Sequence, residues 1–403
     1  MSKQKKKQEK WIKPRHQVVT NLVSLVLFPY TKLKYNISVE RFKEQGKRAY
    51  LVLYNHQTGF DQFFVAMAFK GPVYYLATED IFSLGFLSSL LRFAVAPIPI
   101  KKQTTDVAAV KTCYKVAKEG GTIAIAPEGN RTYSGKTEYI SPAIASMAKM
   151  IKLPIALMRI EGGYGVQPRW SDCVRKGKMR AYVSEVIEPE VYKELTNEEL
   201  AKRIEDGLYV NEAVADAKFH SNKRAEFLER AIYVCPYCGL SEFESHGNEM
   251  ECKKCHRKVL YGADKSLKGL GYEHPFPFVN EWYDYQQDFI NNLDVTKHVE
   301  TPLYEENTTL SEVILYKKKV ELRKEAKIQL YGDKIIIDAG TEDELKFPFS
   351  EVSAISVLGK NKANIYYDKK VYQIKGSERF NSLKYVNIFY RYKNISRGEI
   401  NVS

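Results

Sequence analysis

Between residues 49 and 186, short apolar runs of strand length alternate with longer runs of helical period, and this alternation limits the possible fold more than any other feature. The strand-like runs are 49–54, 73–77, 96–100, 122–126, 154–160 and 179–186. The helix-like runs between them are 62–69, 81–93, 105–118 and 142–151. Such alternation predicts an α/β layered domain, a largely parallel sheet flanked by helices. Open sheets of this kind collect ligands beyond the carboxyl ends of their strands, so those ends are where chemistry is sought.

Two of those ends carry reactive residues. The run 49–54 is followed by Asn55-His56-Gln57-Thr58-Gly59-Phe60-Asp61. One tight turn would let Asp61 orient His56, which is the base-and-orienter part of a catalytic dyad. No Ser or Cys nucleophile is required if the base activates a substrate hydroxyl. The run 122–126 is followed by Pro127-Glu128-Gly129-Asn130-Arg131. Gly129 lets the backbone approach a ligand. Arg131 is a planar fork suited to phosphate. Glu128 is placed to hold that arginine or a substrate hydroxyl. Each motif alone is equally a capped loop or a surface ion pair. Their order and spacing together favour the chemical reading.

In that order the motifs resemble the glycerolipid acyltransferase family, the lysophosphatidic acid acyltransferases, which carry NHxxxxD and then xPEGxR. Asn55, His56 and Asp61 complete the first; Pro127, Glu128, Gly129 and Arg131 complete the second. Ala126 stands where the family usually has Phe, and Asn130 where it has Thr. A strand ending in a basic residue lies between the motifs in the family. Here that block is 96–102, ending in Lys101 and Lys102 rather than arginine. A strand opening on Pro154 fits a further block. The resemblance covers roughly residues 20 to 215.

The resemblance implies a mechanism. His56 would take the proton of an acceptor hydroxyl as its oxygen attacks an acyl thioester, and Asp61 would hold the ring tautomer. Asn55, Glu128 and Gly129 would line the substrate site. Arg131, helped by Lys101 or Lys102, would hold the acceptor phosphate. Backbone N–H groups near Gly129 would serve the oxyanion. The donor would be an acyl-CoA or an acyl carrier protein thioester. The acceptor would be lysophosphatidate, with another lysolipid or glycerol 3-phosphate as the alternative. Cys113 falls within a helical pattern and reads as a small core residue.

The net charge of +13 favours an anionic partner such as a phospholipid surface. A basic N-terminus (Lys3, Lys5, Lys6, Lys7, Lys10, Lys13, Arg15) precedes an apolar stretch over 18–30. That stretch is short of the about 20 apolar residues a span needs, so it reads as an interfacial anchor flanked by Trp11 and Tyr30. Peripheral attachment to the cytoplasmic face of the cell membrane is expected. Thr196 and Glu199 form a capping box that opens a helix, and a charged helical stretch is expected over 213–233.

Cys235 and Cys238, then thirteen residues, then Cys252 and Cys255 make a two-knuckle zinc-ribbon pattern. Four thiolates would close the shell of a structural Zn2+. The remaining residues read as an aromatic-rich linker over 263–300 and short strands closed by one helix over 301–395. That order of elements resembles a pleckstrin-homology-type barrel. The expected division is thus a membrane-associating segment at 1–30, an acyltransferase domain at 31–230, a ribbon at 231–262, the linker and the barrel. A rival from another class is a nucleic-acid-binding or assembly protein using the ribbon and the basic charge. It leaves both motifs unexplained, and no nucleic-acid partner is expected.

Overall fold

The structure is a computed structural model, and it describes residues 10–78, 82, 86–100, 106–214, 216–314 and 317–396. Its first unit is built on a mixed seven-stranded sheet. The strands are β1 (Ile37–Val39), β2 (Leu51–Tyr54), β3 (Val73–Thr78), β4 (Ile98–Ile100), β5 (Thr122–Ile125), β6 (Ile155–Glu161) and β7 (Met179–Ile187). Their order is β1-β7-β6-β2-β5-β3-β4. The pairs β6–β2, β2–β5, β5–β3 and β3–β4 are parallel, and β7 runs antiparallel to β6. β2 and β5 are buried at every position, as central parallel strands covered on both faces must be.

Alternate residues of a strand serve opposite faces. Leu51 and Leu53 join one apolar core, whereas Val52 and Tyr54 join the other. The helices are α1 (Pro14–Tyr35), α2 (Asp61–Ala68), α3 (Phe86–Val95), α4 (Val107–Lys118), α5 (Ala143–Ile151), α6 (Gly163–Val166), α7 (Pro189–Tyr192) and α8 (Asn197–Leu208). The expected capping box is formed: Thr196 and Glu199 bond reciprocally at the start of α8. α1 packs on α2 and α3. No helix among the described residues is long and apolar enough to cross a membrane. Trp11, expected at a membrane interface, instead packs into the domain; its indole N–H donates to Ala96 O (3.1 Å) and its amide to Glu119 (3.1 Å).

The helix expected over 213–233 does not form. The segment runs irregularly, with one short 3-10 turn at Leu228–Arg230. Its backbone bonds outward instead: Phe219 N–H to Ala263 O, Ala225 N–H to Gly247 O, and Phe227 N–H to the Ser245 hydroxyl. Tertiary pairing has overridden a charge pattern that suited a helix.

Next come a two-strand hairpin, β8 (Val234–Cys235) with β9 (Gly239–Leu240), and a four-strand antiparallel sheet. The latter comprises β10 (Phe243–His246), β11 (Glu249–Cys252), β12 (Lys258–Tyr261) and β13 (Leu267–Gly269). β13 lies in the stretch read as linker, and that stretch also holds α9 (Val279–Asn291), with Trp282 and Gln286 fully buried. Gln286 accepts from the amides of Tyr233 and Val234 and donates to Ala231 O.

The last unit is an antiparallel sheet of seven strands: β14 (Tyr304–Glu312), β15 (Val320–Leu330), β16 (Lys334–Ile337), β17 (Leu345–Pro348), β18 (Ala354–Leu358), β19 (Lys362–Tyr367) and β20 (Lys370–Lys375). Its order is β17-β16-β15-β14-β20-β19-β18, and α10 (Leu383–Ser396) packs on β18 and β19. The sheet is curled, so that Phe347 of β17 meets Tyr367 and Tyr372 across the interior at ring distances of 5.4 and 5.1 Å. Backbone pairing does not link β17 to β18 among the described residues. The sheet is therefore a curled half-barrel, short of the closed barrel expected. This sheet, the cysteine-bearing unit and α9 share one apolar core, which also takes in Tyr133 and Trp170 from the first unit.

Candidate active site and cysteine cluster

β6, β2 and β5 are neighbours and parallel, so the loops leaving their carboxyl ends meet. The loop after β2 carries His56, the loop after β5 carries Arg131, and α6 follows β6. Thr132 N–H donates to His56 O (3.3 Å), which ties the first two loops directly.

Asp61 opens α2 and is fully buried. Its carboxylate accepts from His56 Nδ1 (2.8 Å), Gln57 N–H (2.7 Å), Thr58 N–H (2.9 Å) and the Thr58 hydroxyl (2.7 Å). With Nδ1–H bonded to the carboxylate, the neutral tautomer leaves Nε2 as the proton acceptor. The His56 side chain is 24% exposed. Burial lowers its pKa from the ordinary 6.5; the bond to Asp61 opposes this, and Arg131 and Arg169 add to it. The imidazole is therefore neutral and basic at pH 7.

Arg131 lies over the first loop: a Cβ placed on Gly59 would come within 3.9 Å of its Nη1. Its guanidinium makes no hydrogen bond or ion pair among the described residues. Burial, then the nearby Arg169, lower its pKa to about 10, so it keeps its charge at pH 7. A charged, half-buried guanidinium with no partner among the described residues, beside a neutral imidazole, is a place for an anion.

Three expected contributors do something else. Asn55 is fully buried, and its amide is occupied by β6, donating to Ile160 O (2.8 Å) and accepting from Ile160 N–H (2.7 Å). It braces the strand end. Glu128 holds neither Arg131 nor an open hydroxyl site. One oxygen accepts from His56 N–H (2.7 Å) and the other from Glu138 N–H (2.7 Å). Burial pushes its carboxyl up to about 8, against the pull of those two donors. Gly129 sits at φ +66, where glycine is favoured, but a Cβ there would meet nothing within 4 Å. Its own N–H is taken by Ala126 O (3.0 Å), so it is not an oxyanion donor in this arrangement. Lys101 and Lys102 lie outside the described residues.

Sequence reading missed Gln57, Thr58 and Arg169. Gln57 accepts from Tyr164 N–H (3.1 Å), and Gly163 packs so closely on it that a Cβ would fall 2.5 Å from the Gln57 Cβ. Arg169 is buried, and its Nη1 donates to Arg131 O (2.9 Å). Thr58 had a readable signal, a hydroxyl three residues before an acid at a helix start. Arg169 had none, because only the tertiary fold brings it to Arg131.

Cys235, Cys238, Cys252 and Cys255 are brought together: their sulfurs all lie within 4.8 Å of one another, and those of Cys235 and Cys255 are 3.9 Å apart. Zn–S bonds of about 2.3 Å in a tetrahedron put sulfurs about 3.8 Å apart. The donor set and the spacing therefore fit a divalent metal with no open position.

Residues 34–161 match the family model described as Acyltransferase. Over 127 residues, 32% of this chain, the sequence is 23% identical to 1-acyl-sn-glycerol-3-phosphate acyltransferase of Bacillus subtilis. That match spans 60% of the length of the curated relative. Among solved structures, the chain is similar to the 1-acyl-sn-glycerophosphate (LPA) acyltransferase PlsC of Thermotoga maritima. The TM-score is 0.41 and the identity 22%, covering 48% of this chain and 78% of that one. It is also similar to the N-terminal PH domain of human ARAP2, with a TM-score of 0.19 and 14% identity over 23% of this chain and 81% of that one.

Proposed function

We propose that the chain is a peripheral membrane O-acyltransferase that moves an acyl group from a thioester, an acyl-CoA or acyl carrier protein conjugate, to the hydroxyl of lysophosphatidate. The observation that carries this reading is the His56–Asp61 pair with the Arg131 guanidinium, unpartnered among the described residues, over the same loop. The match of residues 34–161 to the acyltransferase family model supports it.

In this reading the acceptor phosphate binds Arg131. Nε2 of His56 removes the hydroxyl proton as that oxygen bonds to the thioester carbonyl carbon. Asp61 holds the ring and stabilises the imidazolium. The C–S bond then breaks, and the leaving sulfur recovers the proton from His56. No acyl-enzyme forms.

Access to lipid is supported by α1 and α3. Leu25, Leu33 and Phe86 are 72%, 85% and 84% exposed on these two packed helices. Arg15 donates to Phe93 O and lies over the Phe93 ring, and Lys32 and Lys34 sit in the last turn of α1. An exposed apolar face with basic residues suits a surface of anionic phospholipid, which would put the enzyme on the cytoplasmic face of the cell membrane. The four cysteines would hold a structural Zn2+, and the curled sheet with its packed helix supports a pleckstrin-homology-like reading of the last unit.

The test is acyl transfer from a labelled acyl-CoA in mixed micelles, with lysophosphatidate, glycerol 3-phosphate and an uncharged lysolipid as acceptors. Transfer to lysophosphatidate above the other two supports the reading. Transfer to the uncharged acceptor alone would contradict a phosphate role for Arg131.

A further inference from the structure

The loop between α6 and β7 begins beside the active site, and its middle residues, Trp170 and Asp172, reach into the other two units before the chain returns to β7. Arg169 Nη1 donates to Arg131 O, and its guanidinium lies 4.5 Å from the ring centre of Tyr133, two residues beyond Arg131. Trp170 is fully buried and meets Tyr261 of β12 edge to face, with ring centres 5.7 Å apart. Arg175 lies 4.9 Å from both of those ring centres and donates to Gly165 O in α6 (3.3 Å). Asp172 is gripped by Arg230 through two bonds of 3.0 and 3.1 Å, and by Lys360 from the last sheet. Arg230 is itself buried and also donates to Trp170 O (3.0 Å) and Glu378 O (2.6 Å).

Tyr133 and Trp170, which follow Arg131 and Arg169 by two residues and one, pack in the core of the cysteine unit and the last sheet. They join neither of the two cores of the α/β sheet. Two guanidinium groups held close together repel, so their backbone must be fixed from outside if an anion is to find them in register. The outside support here comes from Tyr261, Arg230, Lys360 and Glu378.

We infer that Arg169 is a positioning residue for Arg131, and that the Asp172–Arg230–Lys360 clamp with Tyr261 holds Arg169 in place. The cysteine unit and the last sheet are thus parts of the anion-binding half of the site, not only attachments that dock the enzyme elsewhere. This inference rests on Arg131 binding the acceptor phosphate.

The experiment uses the full chain with Asp172→Ala, Asp172→Glu and Lys360→Ala. It measures equilibrium binding of glycerol 3-phosphate together with separate kcat and KM values for acceptor and thioester. Asp172→Ala is expected to weaken glycerol 3-phosphate binding and raise the acceptor KM about tenfold, with kcat and the thioester KM within about twofold. Lys360→Ala should move the same quantities by less, since Arg230 remains. Asp172→Glu should restore most of the binding. Unchanged acceptor binding in folded variants overturns the inference. So does a parallel change in kcat and both KM values, which would mean general loosening. If the wild type binds glycerol 3-phosphate but transfers no acyl group, the transferase reading fails and the clamp is judged on the binding ratios alone. If the wild type does not bind it, Arg131 is no anion site and both fall.

Discussion

Nδ1 of His56 lies 2.8 Å from Oδ2 of Asp61, and that carboxylate is itself held by the Gln57 amide, the Thr58 amide and the Thr58 hydroxyl. The orienting acid is thus fixed by its own loop before it fixes the base. Asp61→Asn keeps the shape but turns an NH2 toward donors and disturbs the tautomer. By comparison with triads, kcat should fall on the order of 10^3- to 10^4-fold. Circular dichroism checks the fold, and a loss under tenfold would mean that Asp61 does not orient the base.

The pH dependence follows from the direction of the His56 shift. Burial, with Arg131 and Arg169, holds its pKa below 6.5 in the folded protein. The neutral form is the base, so kcat/KM is full above that pKa and falls as pH drops through it. The acidic limb of the profile should therefore lie below 6.5. Arg131→Ala removes one of the charges that lower the pKa, so its limb should move up in pH. A limb that stays put contradicts this electrostatic account.

Glu128 bridges the two motif loops through backbone amides, one oxygen to His56 and one to Glu138. A glutamine has only one acceptor oxygen, so Glu128→Gln leaves one buried N–H facing an NH2. The expected cost is about 1–3 kcal/mol of stability, read by urea unfolding. An unchanged urea midpoint would mean that the two amides do not depend on the second carboxylate oxygen.

Metal analysis of the intact protein should find one zinc per chain, and Cys238→Ser should lower that occupancy. The apolar core joining the cysteine unit to the last sheet should loosen with it, so the melting temperature should fall on chelation. Full stability without metal would remove the structural role of the cluster.

Leu25 and Leu33 are exposed and make little of the core. Replacing both by serine should leave the melting temperature within a degree or two while reducing cosedimentation with anionic phospholipid vesicles several-fold. Unchanged cosedimentation would take the membrane-facing role away from α1.

The α/β core was legible because its strands are apolar runs of strand length and its helices are amphipathic, so all six expected strands lie within one or two residues of those observed. β1 was not legible, because three residues carry no period. The dyad was legible because both partners lie in one loop, where spacing decides contact. Asn55 and Glu128 were assigned to substrate because a motif names residue types without saying which atoms the backbone already occupies. Arg169 lies 38 positions from Arg131. Nothing local marks such a contact, and the same is true of the clamp through Asp172 and Lys360.

The central claim is that His56 is the base of an acyl transfer, and single-turnover transfer of a labelled acyl group from acyl-CoA to lysophosphatidate tests it most directly. Wild type and His56→Ala should be compared at matched fold and saturating substrates. The account predicts transfer by the wild type and a loss of several orders of magnitude in the variant, with lysophosphatidate binding retained through Arg131. A variant that transfers at the wild-type rate would contradict it.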